Sequence, residues 1–268
     1  MLKRIMTAVI GIPVVVAVII LGNPYLKYTI MLASLIGMFE FYRVVKKKHQ
    51  PIVILGYGAT VLQYIAFDLV GSHYLIYVTL LMILSLTLLV VFYPKYKVED
   101  VALTLFPVFY VSLLFSFIVE LREMTNGSFW IWLVALSAWG SDTCAYFTGI
   151  TMGKHKLAPV LSPKKTIEGS IGGVVGAGVL GYLYTMVFTA FAMVQLREYT
   201  FVIVITVMIA AIISQVGDLA ASAIKRFFEQ KDYGNILPGH GGILDRCDSF
   251  IFVAPIIYVV AQIVQSTM

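Results

Sequence analysis

The residues best able to do chemistry lie in one polar stretch, 218–248. It opens on a predicted helix with one polar face, whose members recur at helical spacing: Asp218, Ser222, Lys225, Arg226 and Glu229. It closes on a second predicted helix, where Asp245 and Asp248 lie three residues apart on one face beside Arg246. Charges of both signs in this pattern suit the binding of phosphate groups or of a metal ion.

The carboxylates are the most informative of these groups. Asp218 follows a long apolar run, and a carboxylate at the head of a membrane helix is costly unless it is paired or bound to a metal. With Asp142 on an earlier span, Asp218, Asp245 and Asp248 can converge, and such hard oxygen ligands suit Mg²⁺. The alternative is that they form only structural ion pairs with nearby basic residues: Lys225, Arg226, Lys231 and Arg246.

The two predicted helices suggest how a metal would be held. Asp218 ends the first helix and Asp245 begins the second, so both are predicted metal ligands. Asp248, one turn further on, is either a third ligand or a group that orients Arg246. The basic side chains are predicted to bind phosphate oxygens, Lys225 as a point charge and the guanidinium groups in bidentate fashion.

The segment between these helices is rich in glycine. Gly241 and Gly242 suit tight turns and let backbone N–H groups approach a phosphate closely. His240, between glycines and near two aspartates, is a candidate contact to a phosphate or a carboxylate.

A second group of candidates lies at 153–173. Ser162, Lys164, Lys165, Thr166 and Glu168 form a basic loop that leads into a helix N-terminus, where free amides favour an anion. Two alternatives stay open: Thr166 can be only a helix cap, and the lysines can be only topology signals. The small residues that follow are better explained as a helix-packing face: Gly169, Gly172, Gly173 and Gly176.

The elements that carry these residues are membrane helices. Of the 268 residues, 60% are hydrophobic and 12% charged, against roughly 25% charged in soluble domains. The apolar residues form long uninterrupted blocks, and a spanning helix needs about 20 of them. The fold class is therefore all-α, a polytopic membrane protein with about nine transmembrane helices, near 5–22, 27–44, 51–70, 74–93, 101–119, 129–151, 168–194, 200–221 and 249–266.

The basic residues predict the topology. With nine spans, all but three of the 19 Lys and Arg residues fall on one side, the exceptions being Lys27, Arg122 and Arg197. The positive-inside rule then places the N-terminus in the cytoplasm and the C-terminus outside. The net charge of +5 is explained by topology and does not indicate nucleic-acid binding, although a basic face also attracts anionic headgroups and nucleotides.

Other classes find little support. The 2 cysteines offer no disulfide framework or zinc site, and a phosphate loop and a serine nucleophile elbow are both absent. We predict an N-terminal transmembrane region of about five spans, 1–128, and a C-terminal catalytic region of about four, 129–268. Cytoplasmic loops 152–167 and 222–248 are expected to carry the function.

The 222–248 stretch resembles the signature of the phosphatidate cytidylyltransferase family, also called CDP-diacylglycerol synthases. The matching positions are Ser222, Ile224, Lys225, Arg226, Lys231, Asp232, His240, Gly241, Gly242, Asp245, Arg246 and Asp248. Upstream, Asp142, Ala145, Tyr146 and Gly149, together with 162–169, are also similar to the family. Cys247 stands where this pattern usually has an aliphatic residue.

The resemblance implies an integral-membrane enzyme that condenses CTP with phosphatidic acid, giving CDP-diacylglycerol and pyrophosphate for phospholipid biosynthesis. It implies a divalent metal, Mg²⁺, and leaves open a second metal ion and a homodimer. The expected catalytic residues are Asp218, Lys225, Arg226, Asp245, Arg246 and Asp248. The expected substrate-binding residues are Asp142, Ser162, Lys164, Lys165, Thr166, Glu168, Ser222, Lys231, Asp232, His240, Gly241 and Gly242. The expected location is the inner (plasma) membrane, with the active site facing the cytoplasm.

Two alternatives use the same features. A CTP-dependent polyprenol kinase would share a membrane site and a nucleotide but phosphorylate an alcohol. An ion-coupled transporter would also carry intramembrane charges. Against the transporter, the charges gather at one predicted end of the helices, and no paired interrupted helices suggest inverted halves.

Overall fold

The computed structural model describes residues 2–192, 196–236 and 241–268. The predicted fold class is confirmed: the chain is an all-α, multi-pass membrane protein. Its helices are α1 Leu2–Leu21, α2 Tyr25–Val45, α3 Val53–Ile65, α4 Phe67–Ser72, α5 Tyr74–Val91, α6 Val98–Pro107, α7 Leu114–Glu123, α8 Gly127–Ala135, α9 Ser141–Met152, α10 Ile167–Ala192, α11 Thr200–Phe227 and α12 Leu244–Thr267.

In the described part of the chain, 6 stretches are long and apolar enough to cross a bilayer: Tyr25–Val45, Tyr74–Val91, Val98–Glu123, Ile167–Phe191, Arg197–Phe227 and Leu244–Thr267. Of the other predicted spans, 5–22 corresponds to the continuous helix α1. The span 51–70 is interrupted where α3 gives way to α4 at Ala66, and 129–151 is interrupted at Leu136–Gly140. The count of nine and the orientation of the termini stay predictions.

Two of the predicted spans contain π-helical turns. Val108–Leu113 connects α6 with α7, and Leu136–Gly140 connects α8 with α9. A π turn holds an extra residue and so rotates the helix after it relative to the helix before it; such turns are frequent at functional sites. The second one ends immediately before Ser141 and Asp142, and therefore sets the direction in which Asp142 leaves its helix.

The predicted loop 152–167 contains an antiparallel hairpin. Strands β1 Lys156–Ala158 and β2 Ser162–Thr166 pair Lys156 with Thr166 and Ala158 with Ser162. Strands this short and polar have no alternating apolar pattern, which is why the sequence indicated only a loop.

The chain divides into two compact units. Unit 1 comprises Met1–Ser116 and Phe228–Asp245, and unit 2 comprises Phe117–Phe227 and Arg246–Met268. The predicted boundary at 128/129 and the assignment of catalysis to 129–268 stay predictions. The predicted loop 222–248 contributes residues to both units.

Buried hydroxyl groups join the helices of unit 1. The Tyr64 hydroxyl lies 3.0 Å from Ser34 Oγ and donates to the Ser112 carbonyl at 2.9 Å. The Tyr42 hydroxyl donates to the Thr104 carbonyl at 2.7 Å. Because apolar contact gives little net attraction between helices in lipid, such bonds and close packing hold them together. They fix α2 against α3 and α6.

Unit 2 is built on close packing of α9 against α10. A Cβ added to Gly169 would lie 2.8 Å from the Ala145 carbonyl oxygen, and one added to Gly173 would lie 2.8 Å from that of Ser141. Backbones can approach this closely only where a side chain is missing. The predicted glycine packing face is confirmed.

Candidate functional site

An ion cluster in unit 2 gathers three of the predicted site residues. Lys165 Nζ lies 2.5 Å from Asp218 Oδ2, and the two side chains are 24% and 33% exposed. Asp142 interacts electrostatically with both Lys165 and Asp218. Two carboxylates around one ammonium group leave an excess negative charge that remains reachable from solvent.

Three elements position the cluster. Asp142 lies in the first turn of α9, Lys165 on β2 and Asp218 on α11. Sequence analysis proposed other lysines and arginines as ion-pair partners of the carboxylates, so the partner of Asp218 was not anticipated.

A buried amide joins the helices beside this cluster. Gln215, one turn before Asp218 on α11, donates through Nε2 to Ser141 Oγ at 3.5 Å and to the Ser170 carbonyl at 3.2 Å. Ser170 Oγ donates back to Gln215 Oε1. One side chain thus connects α9, α10 and α11, which fixes the distance between Asp142 and Asp218.

The hairpin is anchored at its base. Glu168 accepts hydrogen bonds from the backbone N–H groups of Lys154, at 3.0 Å, and His155, at 3.2 Å, and lies 2.6 Å from His155 Nδ1. Thr166 Oγ1 accepts from the Gly169 N–H at 3.1 Å, so the helix-cap interpretation of Thr166 is confirmed. These bonds hold β2 and therefore Lys165. Contact of Thr166 or Glu168 with substrate stays a prediction.

Helices α11 and α12 meet next to Asp218. A Cβ added to Gly217 would lie 2.8 Å from the Asp248 carbonyl oxygen. Asp248 is 7% exposed, and its Oδ1 accepts from the Ser249 N–H at 2.9 Å. Lys225, two turns beyond Asp218 on α11, is 8% exposed. The close crossing brings the Asp248 backbone to the level of the ion cluster.

In unit 1, Asp245 holds the glycine-rich segment. One oxygen, Oδ2, accepts from the Tyr233 N–H at 2.9 Å and from the Gly242 N–H at 3.0 Å. Gly241 has φ +89°, which favours glycine. The Gly242 amide was predicted to face a phosphate, but in the structure it is bonded to Asp245.

Glu40 is a site residue that sequence analysis missed. This side chain of α2 is completely buried, and it accepts from the N–H groups of Ile243, at 3.0 Å, and Leu244, at 2.9 Å. These amides open α12, where a helix end favours a carboxylate. The sequence does contain a signal that could have identified it, because Glu40 is a carboxylate inside an apolar span.

The remaining predicted residues are half-buried, exposed or outside the described residues. Ser162 and Ser222 are half-buried, and His240 lies outside the described residues. The exposed ones are Lys164, Arg226, Lys231, Asp232 and Arg246. Glu229 lies in the connecting segment, which joins α11 to α12. The Lys48 ammonium lies 2.7 Å from Glu229 Oε1 and holds the pKa of that carboxyl below its usual value.

The fit to a metal ion can be tested on the carboxylates. Among the residues that the structure describes, no three His, Cys, Asp or Glu side chains lie close enough together to hold a metal. The predicted ligand set Asp218, Asp245 and Asp248 is therefore not assembled there. Mg²⁺, however, is usually bound by one or two carboxylates together with substrate phosphates, and the Asp142 and Asp218 pair fits that pattern.

Comparison with known proteins covers nearly the whole chain. Residues 2–264 match the sequence model of a family described as the cytidylyltransferase family. The phosphatidate cytidylyltransferase of Bacillus subtilis (strain 168) is 34% identical over an alignment of 268 positions, which covers 96% of each chain. That of Staphylococcus epidermidis (strain RP62A) is 34% identical over 259 residues, 95% of this chain and 96% of the relative. That of Staphylococcus saprophyticus (strain ATCC 15305) is 41% identical over 163 residues, 61% of this chain and 60% of the relative.

Proposed function

The chain belongs to the cytidylyltransferase family, and from this premise we propose how it makes CDP-diacylglycerol and pyrophosphate from CTP and phosphatidic acid. The reaction is that of a phosphatidate cytidylyltransferase, a nucleotidyltransferase of phospholipid biosynthesis in a membrane. The observation that carries it is the family match over residues 2–264, which includes both stretches of candidate site residues, 153–173 and 218–248. The names of the relatives favour this reaction over a CTP-dependent polyprenol kinase or a transporter.

Catalysis of this reaction depends mainly on how the two substrates are positioned. An oxygen of the lipid phosphate forms a bond to the α-phosphorus of CTP, and the bond from that phosphorus to pyrophosphate breaks. The attacking phosphate is already ionised near pH 7, so a strong general base is not required. The protein must hold two anions together and offset their repulsion.

The unit 2 cluster is suited to this task. Asp142 and Asp218 would hold Mg²⁺. Asp248 is included in the site because its backbone carbonyl lies close to Gly217, the residue before Asp218. When bound, the cation neutralises phosphate charge and orients the phosphate oxygens. Lys165 balances the two carboxylates and offers an ammonium group to a phosphate as substrates enter.

The other basic residues extend the binding surface. Lys225 lies two turns beyond Asp218 on α11 and is assigned to a phosphate, to which its ammonium group offers a point charge. Arg226 and Arg246 are exposed and can present guanidinium groups to the second substrate. The homodimer stays a prediction.

The fate of a radioactive label tests the reaction. With purified protein, phosphatidic acid and Mg²⁺, label at the α position of CTP should enter the lipid, and label at the γ position should appear in pyrophosphate. A polyprenol kinase would instead move the γ label into a lipid alcohol, which a parallel reaction with polyprenol detects. Transfer of only the γ label to lipid would refute the proposal.

We also propose that the protein lies in the inner (plasma) membrane with its site on the cytoplasmic side, since CTP is a cytoplasmic nucleotide and the basic loops favour that side. In a variant lacking Cys144 and Cys247, a cysteine introduced by Ser162→Cys should resist an impermeant thiol reagent in intact cells and react in inverted vesicles. Glu198→Cys, in the predicted outer loop, should give the opposite pattern. Labelling of the Ser162→Cys protein only from outside would reverse the topology.

A further inference from the structure

Glu40 lies in an unusual environment for a membrane-helix carboxylate. It belongs to the apolar span Tyr25–Val45, is completely buried, and is bonded to backbone amides 203 and 204 residues away in sequence. Those amides, of Ile243 and Leu244, are donors that a helix start cannot satisfy internally. Glu40 therefore caps α12 from another helix.

The same face of α2 holds the other end of the connecting segment. Arg43, three residues after Glu40, donates through Nη2 to the Tyr233 carbonyl at 2.8 Å. Just beyond the helix, Lys48 pairs with Glu229. Three residues from 40–48 thus make contacts spaced along 229–244. One end of this segment is bonded to α2 and the other to Lys48, just beyond that helix.

Two described parts of the segment approach the Glu40 carboxylate closely, one at Gly234 and one at Gly242. A Cβ on either Gly234 or Gly242 would overlap that carboxylate, so both glycines allow the backbone to approach it. Asp245 interacts electrostatically with Glu40 and accepts from the Tyr233 and Gly242 amides. The two carboxylates hold adjacent parts of one backbone, and a change at Glu40 shifts the start of α12 where Asp245 lies.

We propose that Glu40 is a positioning residue for the reaction: it fixes the backbone at Gly234 and at 242–244, and so sets the direction of the Asp245 side chain without touching substrate. The inference rests on the proposed function, because its consequence is measured in the cytidylyl transfer.

Two substitutions separate positioning from simple stability. Glu40→Gln keeps the size of the side chain but presents one acceptor oxygen to two amides, and its NH₂ group faces a donor. We expect kcat to fall about 10-fold or more in correctly folded protein, with a smaller change in KM for CTP. Glu40→Asp keeps both acceptors on a shorter arm and should restore part of kcat. Glu99→Gln, an exposed acid on α6, is the matched control and should behave as wild type.

Proteolysis gives a readout independent of activity. Lys231 is exposed in the segment, and trypsin should cleave after it about tenfold faster in Glu40→Gln, because fewer bonds resist local opening. Cleavage after Lys156 in the hairpin of unit 2 is the internal control and should not change. If kcat per folded molecule and cleavage at Lys231 both match wild type, Glu40 is not a positioning residue, even if the variant melts earlier. If wild type itself transfers no cytidylyl group, the proposed function fails instead.

Discussion

Asp218→Asn should reduce kcat/KM by at least about 100-fold at saturating Mg²⁺ and should raise the Mg²⁺ concentration needed for half-maximal activity. The substitution keeps the shape of the side chain but removes the charge that pairs with Lys165 at 2.5 Å. It also leaves Asp142 as the remaining carboxylate of the cluster. The measurement is a Mg²⁺ titration of initial rates in detergent, with Asp68→Asn, an exposed acid on α4, as the matched control.

The partner of Asp218 distinguishes a metal ligand from a structural ion pair. If the pair is only structural, Lys165→Gln and Asp218→Asn should have the same defect, and the double variant should be no worse than either. If Asp218 holds the metal, only its substitution should shift the Mg²⁺ titration, and Lys165→Gln should mainly raise KM for a phosphate substrate. An unchanged Mg²⁺ requirement in Asp218→Asn would remove it from the ligand set.

If the charge of Asp245 is used in the reaction, Asp245→Asn should reduce kcat/KM about as strongly as Asp218→Asn does, by roughly 100-fold or more. The structure also gives Asp245 a second task, because Oδ2 accepts from the Tyr233 and Gly242 amides. An asparagine carbonyl oxygen can still accept both bonds, whereas alanine cannot. Initial rates should therefore be measured for Asp245→Asn and Asp245→Ala together with trypsin cleavage after Lys231.

The two variants have different outcomes for the two roles. If Asp245 supplies charge, Asp245→Asn should be inactive while its segment resists trypsin as wild type does, and Asp245→Ala should be inactive and cleaved faster. If Asp245 only anchors the backbone, Asp245→Asn should keep activity within a fewfold of wild type. That second result would show that the charge of Asp245 is not used in the reaction.

Sequence patterns predicted the features that depend on regular spacing. The apolar runs indicated membrane helices, and Gly169 and Gly173 indicated close helix packing, because both signals follow from the helical period alone. Thr166 as a cap belongs to the same class of local signals. The recurring charges on α11 likewise identified Asp218 as a site candidate before its partner was known.

Long-range partners were not predictable in this way. Nothing in the spacing of Lys165 indicates that a hairpin brings it to Asp218, and nothing near Ile243 indicates that its amide partner is Glu40 on α2. The π turn at Leu136–Gly140 also escapes periodicity arguments, because residues 129–140 are apolar on nearly every side and a shift in helical phase is then not visible in the pattern. For Lys165 and for Ile243, a contact between distant parts of the chain supplies the missing information.

The length of α11 indicates how deep in the membrane the reaction takes place. Its 28 residues rise about 42 Å at 1.5 Å each, whereas the hydrocarbon layer is about 30 Å thick. Asp218 lies 18 residues, or about 27 Å, beyond Thr200 at the start of the helix. A helix that enters the hydrocarbon near Thr200 therefore leaves it close to Asp218, and its last turns rise among the lipid headgroups. At that depth a phosphate still attached to two acyl chains can meet a nucleotide arriving from water, and neither substrate has to leave its own phase.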